Sequence, residues 1–546
     1  MRLAWLGGAV AWVLAAGAAW AGAPGTLTVG MSQFPPDLHP DIAHSSAKVY
    51  VDDAMLRPVV SYDMAGNVVC VMCTEVPSLA NGLAKVVSLP GGRQGMTVTY
   101  HLRPDFYWAD GVRVTAKDVV FAYRVSRMFG PVPDVTDVRA VDDDTVVVSL
   151  DTTRYDFARL IDEPLPEHVE GRVFAAAKTP LDYTHATLYA TDPTNPGLWD
   201  GPYRLTKYVE GQTIEMEPNP HWRGVKPGYR EIAMRLIPDT ASLEANALSG
   251  DVDMISSSLG LTIDQVIGMQ RKHPDRFNYV YVPTLSYEHL ALNLSNPLLA
   301  DRRVRQALLM AIDRNTIVAR LFRGIQPVAQ SFLSPSQFGW HKDTKTWPYD
   351  PRASRKLLAE AGFKPGRDGI LVSPAGERFE VTLTSTAGNN ERELIEQVLR
   401  TEFRVIGVAV DLKNEPARTL FGRTLRQRQF TGMVLYTTVF TPDEVPWLNF
   451  DSASIPTAAN NWFGKNYTGY DNPAMDRAIA AARGELDPTK RYADWKAILD
   501  LYATDLPELP LFFDTEPFIV PKTMTGVVPL RMRDFATMQV EDWRTK

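Results

Sequence analysis

The hydrophobic spacing of the chain changes period between Tyr279 and Arg314. Residues 279–292 alternate and are rich in β-branched and aromatic side chains, which suits strands on a half-buried sheet. Further on, Val304, Ala307, Leu308, Ala311 and Ile312 recur at i, i+3, i+4, i+7 and i+8, the stripe of an amphipathic helix. Asp301 stands where it can cap that helix. The joint predicts a strand leading into a helix.

The same reading extends along the chain. Residues 26–31 form a short strand, and a helix is expected over 49–56. Val98, Tyr100 and Leu102 alternate as a strand, Trp108-Ala-Asp-Gly111 is a turn, and Thr115-Ala-Lys-Asp118 is a capping-box start before Val119. Residues 201–217 predict a hairpin turning at Glu210-Gly211. A helix over 240–249 has Thr240 as its cap and Gly250 as its stop, with a strand over 251–255 behind it. Beyond residue 314, Asp350-Pro351, Asn472-Pro473 and Asp487-Pro488 each open a helix, and residues 391–404 are amphipathic. Strands are expected at 408–412, 433–440, 509–513 and 518–520. Helices alternating with strands imply an α/β layer architecture.

Length changes the picture first. At 546 residues the chain exceeds one ordinary core, so two or more domains are expected. Hydrophobic content of 45% and charged content of 22% are those of a soluble globular protein. A net charge of −7 without a concentrated basic patch argues against nucleic acid and anionic membranes as partners. The N-terminus carries Arg2, an apolar run over 3–20, and Ala19-Trp20-Ala21, which together fit a secretory signal cleaved after Ala21. No Cys follows the run, so lipoprotein attachment is not expected. Cys70 and Cys73 are the only cysteines; in an oxidising compartment their C-x-x-C spacing is read as a tight disulfide.

Candidate enzyme chemistry is sparse. The chain has no G-x-S-x-G elbow, Walker loop, G-x-G-x-x-G or H-E-x-x-H. Ser45-Ser-Ala-Lys48 matches S-x-x-K, but lacks the Ser-Asp-Asn and Lys-Thr-Gly partners of that chemistry. The nine histidines are scattered singly, so neither a protein-built metal site nor a cofactor is expected.

Several segments carry more than periodicity. The run Asn296-Pro-Leu-Leu-Ala-Asp-Arg-Arg-Val-Arg-Gln-Ala-Leu-Leu-Met-Ala-Ile-Asp-Arg314 resembles the start of the second lobe in extracellular solute-binding proteins of the peptide/nickel-binding family. These are the capture subunits of bacterial ABC importers. "LRPDFYWADGVRVTAKDVVFAYR" over 102–124 resembles the family's W-x-DG-x-x-x-T-A-x-D-V signature. Gly201-Pro-Tyr, Gly211 and Asn219-Pro-His-Trp222 are similar to a third family segment.

The resemblance implies a type II periplasmic binding protein fold, with two lobes around a ligand cleft and an extra subdomain inserted in the first lobe. Mapped onto this chain, residues 1–21 are the signal, and 22–57, 198–282 and 508–546 the first lobe. Residues 58–197 are then the inserted subdomain and 283–507 the second lobe, with crossings near 281–284 and 506–511. The implied function is capture of a peptide or peptide-like solute and its delivery to ABC permease subunits by a periplasmic monomer. A nickel chelate or an oligosaccharide is the runner-up ligand, and a secreted hydrolase using Ser45 and Lys48 the alternative of another class.

The family's cleft places His44, Ser45 and Ser46 at the rim of the first lobe. Tyr287, His289, Asn293, Tyr436, Thr437, Phe440 and Trp462 fall in the second. Buried extended ligands need such apolar walls with a few fixed polar groups. Oligopeptide-binding members carry an acid in the strand matching 433–440, where it meets the peptide's amine. Val439 stands at that place here; Asp443 and Glu444, a few residues later, take over only if the loop bends back, and otherwise the ligand is not an ordinary peptide with a free amino terminus.

Overall fold

The computed structural model describes residues 25–42, 45–130, 132–257, 259–529 and 535–546. The expected signal segment 1–21 and His44 lie outside the described residues.

A ten-stranded mixed sheet organises the molecule. From one edge its order is Ala409–Leu412, Glu380–Thr384, Met433–Val439, Phe277–Leu292, Glu508–Pro521, Met254–Ile255, Thr26–Met31, Glu231–Leu236, Thr213–Pro218 and Tyr203–Val209. The two long central strands, Phe277–Leu292 and Glu508–Pro521, pair antiparallel along most of their length. Glu508–Pro521 is buried along nearly its whole length, whereas Phe277–Leu292 leaves Asn278, Val280 and Pro283 exposed in its first half and is buried from Tyr287 to Leu292.

Among the described residues hydrophobic side chains collect in five cores, of which two are large, a third smaller, and two minor ones gather around Leu243 and Val266 and around Leu420 and Tyr436. The first gathers Leu27, Val29, Tyr50, Trp199, Tyr203, Ile232, Met234, Val282 and Phe518. The second gathers Tyr287, Leu290, Leu308, Leu399, Met433, Trp495, Tyr502, Leu509 and Phe513. The third lies under a separate antiparallel sheet of Ala84–Ser88, Gln94–His101, Thr145–Leu150 and Val135–Ala140, packed on helix Ala116–Phe129.

Local signals set the elements as expected at most joints. Asp301 caps helix Arg302–Met310 by accepting from the Arg303 amide at 2.8 Å. Thr115 and Asp118 form a capping box. Gly111 takes φ 92° in the turn closed by its amide on the Trp108 carbonyl. Asp350, Asn472 and Asp487 cap helices with Pro at the first turn. Cys70 and Cys73 are joined by a disulfide.

Two helices differ from expectation. The one expected over 49–56 spans Ser46–Asp52, because the Ser45 hydroxyl accepts from the Lys48 amide and starts it earlier. The cap of Thr240–Ser249 is Asp239, whose carboxylate accepts from the Ser242 amide. Thr240 is the first helical residue.

Candidate binding cleft

The two central strands leave one large core and enter the other. Val282, Phe518 and Val520 pack in the first core, while Tyr287, Leu290, Leu509, Phe512 and Phe513 pack in the second. Residues 283–286 and 514–517 therefore bridge two separately packed bodies. The strand pairing slips between Pro283 and Tyr287, at the bridge itself. Alternate residues of a strand share a face. Phe513, Thr515 and Pro517 are buried, whereas Asp514 and Glu516 keep part of their surface open.

Charged groups from distant segments converge on this bridge. Arg392, in the first turn of helix Asn390–Val405, forms a two-pronged pair with Glu288, from Nε at 2.8 Å and Nη2 at 3.0 Å. Its Nη2 also donates to the Thr437 hydroxyl at 2.9 Å, and its Nη1 to Thr386 at 3.2 Å. The Thr437 hydroxyl in turn bonds Glu288 and lies 3.5 Å from Asp514 Oδ2. Paired forks of this kind are strong and directional.

Glu391, Asp514 and Glu516 have no cation within ion-pair distance among the described residues. Burial pushes the Glu516 carboxyl up to about 7 against the opposing pull of Ser257. Burial, with the Glu288 charge behind it, holds Glu391 near 7 as well. Asp514 is raised well above the carboxylate range, first by burial and then by Glu288 and Glu391. Each is largely enclosed by protein yet keeps part of its surface open, as wall residues of a cleft do.

The residues expected at the site separate into groups. Tyr287 and His289 are fully buried and stack at 4.6 Å, with the Tyr287 hydroxyl 2.5 Å from that of Tyr502. Tyr436 and Phe440 are likewise buried, at 4% and 1% exposure, against His289 and Phe332. These rings pack inside the second body, behind the bridge. Asn293 shapes a turn, donating to the Phe430 carbonyl and accepting from the Ser295 amide. Trp462 is half-buried in a loop at positive φ of 59°. Ser46 is exposed at the start of its helix. Thr437 alone joins the charged cluster.

Lys48 does not serve Ser45. Its ammonium is 1% exposed and donates to the carbonyls of His39 and Ile42, with Asp37 at 3.4 Å. Its three donors are thus taken by carbonyl and carboxylate oxygens rather than by the Ser45 hydroxyl.

Asp443 ties the second body to Tyr62 and Arg159, beside the third core. Its Oδ1 accepts from Arg159 at 2.8 Å and from the Tyr62 hydroxyl at 3.0 Å. Its carbonyl accepts from the Tyr155 hydroxyl at 2.6 Å, and that hydroxyl accepts from the Val445 amide at 2.9 Å. Nearby, Arg483 bonds Asp134 at 2.6 Å, and the Tyr155 amide donates to the Arg483 carbonyl. The second body and the third core are thus latched over the gap. Sequence reasoning missed Glu288, Glu391, Arg392, Asp514 and Glu516, for no local motif marks residues that meet only in space.

Two bodies joined by a pair of strands, with a charged gap between, define a cleft-type binding protein. Residues 93–456 match the family described as bacterial extracellular solute-binding proteins, family 5, and the chain belongs to that family. It is 25% identical over 536 residues to the oligopeptide-binding protein AppA of Bacillus subtilis, covering 95% of this chain and 91% of that protein. To the nickel-binding periplasmic protein of Escherichia coli it is 22% identical, covering 93% of each. Among solved structures it is similar to the oligopeptide-binding protein of Thermus thermophilus complexed with a pentapeptide. The TM-score there is 0.81 at 28% identity, over 95% of this chain and 96% of that one. The nickel–histidine complex of Campylobacter jejuni NikZ shares the fold, with a TM-score of 0.76 at 21% identity over 95% and 99% of the chains.

Proposed function

We propose that the protein captures a peptide or peptide-like solute between its two bodies and hands it to the membrane subunits of an ABC importer. The observation that carries this reading is the bridge of 283–286 and 514–517, which leaves a partly open, charged floor between separately cored bodies. The peptide complex of the Thermus thermophilus relative supports the ligand class. In this reading residues 22–57, 198–282 and the chain from 514 onward form one lobe, 58–197 its inserted subdomain and 283–513 the other. The second crossing falls later than the expected 506–511 because Leu509, Phe512 and Phe513 pack in the second core. Residues 1–21 are removed on export, and the mature chain acts alone in the periplasm.

Capture is a population shift. Ligand contacts that reach both lobes only when they are shut favour the closed form. Reversing a 1:99 equilibrium takes about 5.5 kcal/mol of preference for that form. A micromolar ligand supplies about 8 kcal/mol in all, so the requirement is met. Thr437, with Glu288 and Arg392, lines the floor, while Ser45 and Ser46 stand at the first lobe's rim.

Native mass spectrometry of the purified protein, followed by melting with a peptide panel, tests this reading. Peptide adducts and a raised Tm are expected. Stabilisation by a sugar or metal chelate, with none by any peptide, would overturn the ligand class.

A further inference from the structure

We infer that the cleft floor holds the positively charged groups of its ligand on Asp514, Glu516 and Glu391, and so selects solutes bearing two or more ammonium or guanidinium groups. This deepens the capture reading, on which it rests only for the ligand's place in the cleft.

The balance of charge on the floor is the starting point. Four carboxylates, those of Glu288, Glu391, Asp514 and Glu516, face a single guanidinium. Arg392 is committed to Glu288 through both prongs. Ionised carboxylates withdrawn from water without a counter-charge are unfavourable, and burial accordingly holds Glu391, Asp514 and Glu516 above their ordinary range. A cation brought by the ligand would remove that penalty.

Two buried hydroxyls at the same corner point the same way. Tyr50 is 1% exposed, its hydroxyl has no hydrogen-bond partner among the described residues, and it feels the charge of Glu516. Ser257 is 2% exposed and sits close enough to pull the Glu516 carboxyl down, yet its hydroxyl makes no bond of ordinary geometry. A hydroxyl has lone pairs to offer an ammonium or guanidinium. The corner offers carboxylate and hydroxyl oxygens as acceptors and holds no cation of its own among the described residues.

The spacing favours an organic cation over a metal ion. No three of the His, Cys, Asp and Glu side chains among the described residues converge closely enough to hold a metal. Hard cations need six or so oxygens at about 2.0–2.6 Å. Asp514 and Glu516 lie two residues apart on one strand, roughly 7 Å along it. Carboxylates so dispersed match positive groups dispersed along a chain. Asp443 is not available for this part, since Arg159 and Tyr62 already hold its carboxylate.

Titration calorimetry with trilysine, trialanine, triglutamate and spermidine tests the assignment. Trilysine is expected to bind about tenfold or more tighter than trialanine, with the gap narrowing as salt rises. In the D514N/E516Q variant the two tripeptides should converge to within about threefold. E391Q, measured alone, should weaken trilysine in the same direction. Unchanged or raised melting of the unliganded variants shows that they fold. Equal binding of the three tripeptides overturns the inference while leaving peptide capture intact. A trilysine preference that survives all the substitutions overturns it too, as does binding of none of the four probes. Spermidine bound through Asp514 with no peptide bound upholds it and overturns the peptide reading instead.

Discussion

Glu508 sits at the start of a central strand, 2% exposed, with its Oε1 3.6 Å from His289 Nε2. Burial pushes the Glu508 carboxyl up to about 8. Burial also drives His289 down to about 4, despite the Tyr287 carbonyl and the Glu288 charge. At neutral pH the pair is an uncharged acid beside a neutral imidazole. The native state keeps a proton that the unfolded chain, titrating near the ordinary 4.5, has already lost. Stability from this group is therefore full below about pH 4.5 and declines until pH passes about 8. His289 works oppositely, adding stability as pH rises from about 4 to 6.5. Glu508→Gln is expected to raise Tm at pH 8 and to change it little at pH 5. The rise should be about 2–4 °C per kcal/mol recovered. Melting curves across pH check this, and an identical shift at every pH would show that the carboxyl does not titrate in that window.

At the scale of elements, the starts of helices are set by single side chains. Asp301 begins the helix Arg302–Met310, whose Val304, Ala307, Leu308 and Leu309 fill the second core. Asp301→Ala is expected to destabilise the protein by about 1 kcal/mol, read as a lower denaturant midpoint at constant slope. Such caps, with the 3.6 and 2.0 periodicities, are local, which is why most elements could be read from the sequence. Ser45 and Asp239 show the limit, for the Ser45 hydroxyl starts its helix three residues before the expected position and the Asp239 carboxylate takes the cap from the adjoining Thr240. The site was far less legible. Arg392 and Glu288 stand 104 residues apart, and their pairing exists only once the sheet has brought two segments together. The aromatic residues Tyr287, Tyr436 and Phe440 read equally as wall or core, and nothing in the sequence says which side of a strand the gap lies on.

For the molecule as a whole, the latch around Asp443 decides how tightly the bodies are held. Its bonds to Arg159 and Tyr62 tie the second body to the chain around the third core, which the proposed reading places in the opposite lobe, so opening would break them. Asp443→Ala should shift the population toward the open form. Small-angle scattering would then give a larger radius of gyration without ligand. Ligand affinity should fall by about tenfold, the effect of losing roughly 1.4 kcal/mol of preference for closure. Scattering and affinity unchanged from the parent protein would mean the closed arrangement does not depend on these contacts.

The place of Glu508–Pro521 in the middle of the ten-stranded sheet has a consequence for how the protein comes into being. Its partners, Phe277–Leu292 and Met254–Ile255, are made more than two hundred residues earlier. While a ribosome is still short of residue 508, both halves wait with an unzipped seam, because contacts this distant along the chain form late and slowly. The nascent chain is thereby kept pliable, and the finished trap snaps together only when its keystone arrives.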